Sequence, residues 1–225
     1  MSQHQIPLAL KPPRRPGFEN FIAGPNKVVV STLERGLEAG SWYFLGGPAG
    51  SGRTHLLAAA FGQCHRAGTI ASFVSLALHA NRGLLSQAGG DWVFVDDIDT
   101  LAGDAESEML LFNALNRWRS EQTGVVMSGF GREAFELPDL RSRLGQATRL
   151  TLKPLEEDDL FQLIRRLAAE HEVVLGRGAI DYLISRSARN PASVARLMEQ
   201  LAIRALSERR TVSVPLVREV MVDNK

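Results

Sequence analysis

The sequence predicts an α/β protein in which a parallel, doubly wound sheet of five strands is followed by a small all-helical domain. Three observations lead there. Short apolar runs rich in β-branched and aromatic residues alternate five times with helical stretches, which is the pattern of a parallel sheet covered on both faces. A glycine-rich loop joins the first of these runs to the first long helical stretch. After Pro154 the β pattern stops and helical periodicity alone continues.

Each element has its own reason. Residues 1–16 are proline-rich, basic and without acids, the composition of an extended tail. Trp42–Leu45, Ile70–Ser75, Trp92–Val95, Val125–Ser128 and Thr148–Leu152 are the strands, each a short run of strand-forming residues. Between them Arg53–Arg66 reads as a helix, as does Glu106–Ser120, where Leu111, Leu115 and Trp118 share one face. Glu156–Glu170 opens with acids that suit a helix N-terminus, and Gly178–Ser187 follows. Asn190 and Pro191 supply an N-cap and a first-turn proline for a third helix reaching Ser207. The expected division is a tail over 1–16, a nucleotide-binding domain over 17–154 and a helical domain over 155–225.

Composition narrows the function. The chain has 225 residues, 26 basic and 25 acidic, for a net charge of +1. No overall field is available to hold nucleic acid or an anionic membrane. With 44% hydrophobic and 23% charged residues it has ample material for a core. Its one cysteine, Cys64, allows no internal disulfide and reads as a small buried apolar group. No apolar run has signal-peptide or membrane-span length, so a cytoplasmic protein is expected. Of the basic residues 22 are arginine and only four lysine. That bias reaches the phosphate loop.

Gly47-Pro48-Ala49-Gly50-Ser51-Gly52-Arg53-Thr54 follows the first strand and opens the first long helix. It fits the nucleotide-binding pattern G-x-x-x-x-G-K-[ST] at every position but one. Glycines let backbone N–H groups turn inward around phosphate, and the helix presents its positive end. Thr54 places a hydroxyl for Mg²⁺, and His55 continues the first turn beside the loop. Arg53 replaces the motif's lysine. A planar fork differs from a compact ammonium, so the expectation is a site that binds a diphosphate and hydrolyses poorly.

Val93-Phe94-Val95-Asp96-Asp97 is an apolar strand ending in two carboxylates. In a phosphoryl-transfer site the first, Asp96, holds the metal through water, and Asp97 stands where a longer acid polarises the attacking water. Ser128, ending the next strand, is placed to reach a γ-phosphate or that water. Trp92, Trp118 and Phe112 fall at core spacings and form no stacking platform for bases.

The order of these motifs resembles the AAA+ P-loop NTPases, and within them the DnaA family. Phe18-Glu19-Asn20-Phe21-Ile22-Ala23-Gly24-Pro25-Asn26 is similar to the segment that packs on adenine in that family. Phe21, Ile22 and Asn26 are thereby implied in nucleotide binding. Leu137-Pro138-Asp139-Leu140-Arg141-Ser142-Arg143-Leu144 is similar to the family's box ending in Ser-Arg-Leu, which makes Arg143 the implied arginine finger. Arg141, two residues earlier, points elsewhere on a helix. The resemblance runs from about residue 17 to 222 and covers the AAA+ core and helical lid but no DNA-reading domain, as in the family's Hda branch. In the lid helix Ala192 stands where the family carries a sensor arginine. Arg189 and Arg196 are the candidates to replace it, and Arg196 is counted with the nucleotide site.

Gln5-Ile6-Pro7-Leu8-Ala9-Leu10 looks like the peptide with which this branch enters the sliding clamp, the β subunit of DNA polymerase III. Gln5 would hydrogen-bond, Ile6 and Leu8 would anchor, Leu10 would fill the apolar pocket, and Pro7 reduces the entropy lost on docking. The resemblance implies an ADP-bound, Mg²⁺-dependent regulator associated with the bacterial replisome. It would touch DNA only through the clamp, stimulate hydrolysis of DnaA-bound ATP and prevent re-initiation, with little or no ATPase of its own. Self-association that hides Arg143 is compatible with it. The alternatives are a self-sufficient AAA+ ATPase and a factor that recruits or loads replication proteins.

Overall fold

The computed structural model describes residues 15–186 and 190–223. Gln5, Ile6, Leu8, Leu10 and Arg189 lie outside the described residues. The chain divides into two compact units, one over Arg15–Lys153 and one beginning at Pro154.

In the first unit, β1 (Trp42–Gly46), β2 (Ala71–Ser75), β3 (Trp92–Asp96), β4 (Gly124–Gly129) and β5 (Thr148–Thr151) form one parallel sheet in the order β2-β3-β4-β1-β5. Every residue of β1, β3 and β4 is buried, which is why these strands read as unbroken apolar runs rather than alternating ones. Trp42, Phe44, Val93, Val95, Val125 and Met127 join one core with α3 (Ala105–Ser120) and α4 (Pro138–Leu144). Tyr43, Leu45, Phe94, Val126 and Leu150 join the other with α1 (Lys27–Glu34) and α2 (Arg53–Arg66). Trp118 is fully buried, and its indole N–H donates 2.9 Å to the Ala88 carbonyl, so its large apolar body is enclosed with no orphan donor.

Some expectations shift. β2 starts at Ala71, not Ile70: the Ile70 N–H is drawn 3.0 Å to the Asp91 carboxylate and its side chain is 70% exposed. Val28-Val29-Val30, a β-branched run, lies inside α1, because burial of Val29, Val30 and Leu33 against α2 outweighs weak helix propensity. Cys64 is half-buried at the margin of the α2 core, not enclosed. Phe112 packs on the edge of the α3 core and is only partly buried.

The register places the functional loops. β4 lies between β3 and β1, pairing Met127 with Val95 and Ser128 with Leu45. The C-terminal ends of β1, β3 and β4 therefore meet at one edge, where ligands bind in open parallel sheets.

The second unit contains α5 (Glu157–Glu170), α6 (Ala179–Arg186), α7 (Pro191–Glu208) and α8 (Val214–Asp223) around Leu160, Ile164, Leu183, Met198, Leu201 and Leu216. The Asn190 side chain caps α7, accepting from the Ala192 and Ser193 N–H groups at 3.0 and 3.2 Å. Among the described residues no helix is long and apolar enough to cross a membrane.

Candidate nucleotide site

The loop between β1 and α2 turns on Gly47, Gly50 and Gly52, all at positive φ. Gly52 matters most. It holds φ +99° as the residue before α2, and a Cβ there would lie 2.6 Å from the Phe21 ring. The N-terminal segment thus packs directly on the loop, and His55 fixes it: its Nε2 is 2.9 Å from the Gly17 carbonyl and its ring 5.4 Å from that of Phe21. His55 thus ties the N-terminal segment to the first turn of α2. Asn26 also departs from expectation. It is buried, its amide donating 3.0 Å to the Lys153 carbonyl and accepting 2.7 Å from the Lys153 N–H, so its side chain closes the fold.

Ser51 and Arg53 are each only 7% exposed, and Ser51 Oγ and Arg53 Nη1 have no hydrogen-bond partner. Buried polar atoms are seldom left so. Two donors orphaned beside a glycine-lined helix N-terminus fit the oxygens of a phosphate. Arg53 Nη2 donates 3.2 Å to Asp97 Oδ1, Nη1 lies 4.0 Å from Asp99 Oδ1, and the guanidinium stands 4.6 Å from the centre of the half-exposed Phe130 ring.

Asp96 is 1% exposed and accepts a short hydrogen bond from Ser128 Oγ. The same oxygen accepts 3.0 Å from the Asp97 N–H. The Ser128 hydroxyl is thus engaged with the acids of β3. Asp97 sits in the left-handed region, φ 57°. Burial pushes its carboxyl up from the ordinary value; Asp96 adds to the rise, Arg53 opposes it, and Asp99 adds further. Thr54 is exposed in the first turn of α2. Among the described residues no group of three or more His, Cys, Asp or Glu is placed to hold a metal alone. One buried carboxylate and one hydroxyl suit Mg²⁺ arriving on a nucleotide, since that ion takes few protein ligands and fills its shell with phosphate and water.

Elsewhere on this unit, α4 carries Arg143 half-buried, with Nη2 donating 2.6 Å to Asn116 Oδ1 on α3. Arg141 points away, exposed, into a shallow groove of about 320 Å³ shared with Arg132, Glu133 and Ser142.

Similar folds occur in domain III of the replication initiation protein DnaA of Thermotoga maritima (TM-score 0.78, 18% identity, 92% of this chain and 95% of that one). AMPPCP-bound DnaA of Aquifex aeolicus matches at TM-score 0.70 and 20% identity, over 90% of this chain and 69% of that one. A Thermotoga maritima RuvB mutant matches at 0.69 and 22%, over 92% and 72%. The fold is that of an AAA+ protein. Residues 157–221 match the model of the Hda lid domain. That match spans α5 to α8, and the likeness to DnaA domain III is one of fold.

In this protein the sheet edge brings together Ser51, Arg53, Asp96, Asp97 and Ser128, with Phe21 against the loop. Arg196 and Ala192 are both exposed on the lid helix α7. Sequence reasoning missed Asp99, Phe130, Asn116 and Glu108. Asp99 had a visible signal, the third acid of Asp96-Asp97-Ile98-Asp99. The others depend on packing.

Proposed function

We propose that this protein is a nucleotide-bound regulator of replication initiation that makes DnaA hydrolyse its ATP and so prevents re-initiation. The observation that carries the reading is the Hda lid over residues 157–221. A nucleoside diphosphate, ADP, occupies the loop from Gly47 to Thr54, its phosphate oxygens answering the orphaned Ser51 Oγ and Arg53 Nη1. Thr54 and Asp96 would hold Mg²⁺, whose chemistry there is to neutralise phosphate charge. AMPPCP on the structurally similar DnaA supports a nucleotide at this fold position. Arg53 draws Asp97 Oδ1 into an ion pair, which favours an activator over a self-sufficient ATPase.

Gln5, Ile6, Leu8 and Leu10 dock in the sliding clamp, and DNA is met only through it. Arg143 then enters the ATP site of DnaA in trans. Water attacks the γ-phosphorus, the bond to the β-γ bridging oxygen breaks, and the guanidinium stabilises the charge on the transferring group. Such a finger is worth about 10³ to 10⁵ in rate in well-studied cases.

Single-turnover hydrolysis of ATP pre-bound to DnaA, with clamp loaded on DNA, tests this. The intact protein accelerates the reaction, Arg143→Ala does not, and deletion of residues 5–10 removes the dependence on clamp. No acceleration by the intact protein would sink the regulator reading.

A further inference from the structure

We propose that Glu108 is a positioning residue for the arginine finger: its buried carboxylate fixes the start of α4 and so the direction in which Arg143 is presented. This rests on the trans-acting role of Arg143 proposed above.

Glu108 lies in the first turn of α3 and is only 1% exposed, yet among the described residues it forms no ion pair. Its two oxygens are satisfied by backbone instead. Oε1 accepts from the Gly103 N–H at 2.9 Å and the Glu136 N–H at 2.9 Å; Oε2 accepts from Glu136 at 3.0 Å and the Leu137 N–H at 2.7 Å. Leu137 is the N-cap of α4, followed by Pro138 in the first turn. The carboxylate therefore grips α4 at its origin. It also holds Gly103, the end of the segment that leaves β3 through Asp97 and Asp99. One side chain ties the loop after the β3 acids to the helix that bears the finger.

The other end of α4 is tied more lightly. Arg143 makes one hydrogen bond to the neutral Asn116, eight residues beyond Glu108 on α3 and about 12 Å along that helix. Each attachment has one ionised member, but the Glu108 carboxylate accepts from three backbone N–H groups whereas Arg143 makes a single contact. Glu108 is thus the fixed end of a two-point attachment and Asn116 the end that can release. A finger that must leave Asn116 to reach a partner's phosphate keeps its aim only if the base of its helix stays in place.

Glu108→Gln tests this with little change of volume. Whichever way the amide lies, its NH₂ faces at least one backbone N–H, so one grip is lost. The readout is single-turnover hydrolysis of DnaA-bound ATP, titrated with the regulator on DNA-loaded clamp, beside calorimetric ADP affinity and circular dichroism. The maximal rate is expected to fall about 10- to 100-fold, as for a catalytic group displaced by an ångström. The half-saturating concentration and ADP affinity stay within about twofold. Should Glu108→Gln fail to fold, Glu108→Asp, which keeps the charge and withdraws it by one methylene, is expected to show a smaller loss of the same kind. An unchanged maximal rate, or a loss confined to the half-saturating concentration, overturns the positioning role while leaving the regulator reading intact. No acceleration by the wild-type protein overturns both.

Discussion

The guanidinium of Arg53 stands 3.2 Å from the carboxylate of Asp97, joining the phosphate loop after β1 to the acids after β3 across the intervening strand β4. A lysine ammonium is a point charge, whereas the arginine fork can hold a carboxylate with one nitrogen and leave the other for a phosphate. Here Nη2 is engaged and buried Nη1 is free of hydrogen bonds. The arginine that departs from the nucleotide-binding motif therefore keeps a buried donor unengaged while pairing with Asp97.

Arg53→Ala removes both. ADP affinity is expected to fall at least about tenfold by calorimetry, since a charge-assisted phosphate contact is lost. Asp97 and Asp99 are left without the cation they face. Because Asp97 keeps 29% exposure, the stability loss in urea is expected at about 1–3 kcal/mol, below that of a fully buried pair.

Gly52→Ala meets two obstacles at once. The backbone stands at φ +99°, and the new methyl would lie 2.6 Å from the Phe21 ring. A loss of about 1–3 kcal/mol is expected, together with greater protease sensitivity of the segment around Phe21, read by limited proteolysis. Unchanged stability would mean that Phe21 is not seated on the loop.

Ser128→Ala leaves a carboxylate oxygen of Asp96 and the Asp97 N–H unpaired in a buried setting. The cost is expected at about 1–3 kcal/mol in urea unfolding. Ser128→Thr, which keeps a hydroxyl, should recover much of it.

Acid should loosen α4 through Glu108. Burial raises its carboxyl, but the N–H groups of Glu136, Leu137 and Gly103 lower it more, helped by the charge of Arg141, so that it lies below its ordinary value. A carboxyl depressed in the folded state contributes stability in full above its unfolded pKa and loses it as pH falls through the folded one. The melting temperature of the wild-type protein should therefore fall between about pH 5 and 3 more steeply than that of Glu108→Gln. Parallel curves would show that Glu108 does not titrate as described.

Much of this was legible along the chain. The helix starting at Arg53, the apolar runs of β1 and β3 and the Asn190-Pro191 start of α7 follow local rules, because a buried parallel strand needs an unbroken apolar run and a helix end needs a cap. The valines of α1 mark the limit of such rules: local propensity is weak, and burial against α2 overrides it.

The partners of the polar side chains were decided by the tertiary structure. Sequence alone supplied the loop with arginine in place of lysine, the paired acids and the segment bearing Arg143, because backbone turns and short motifs are encoded in adjacent residues. That Ser128 serves Asp96, that Asn26 pairs with Lys153, that Arg53 holds Asp97 and that Glu108 grips Leu137 are relations between residues 29 to 127 positions apart. Strand order and helix packing bring such groups within hydrogen-bond distance, and the cost of leaving a buried polar atom unpaired then selects the partner.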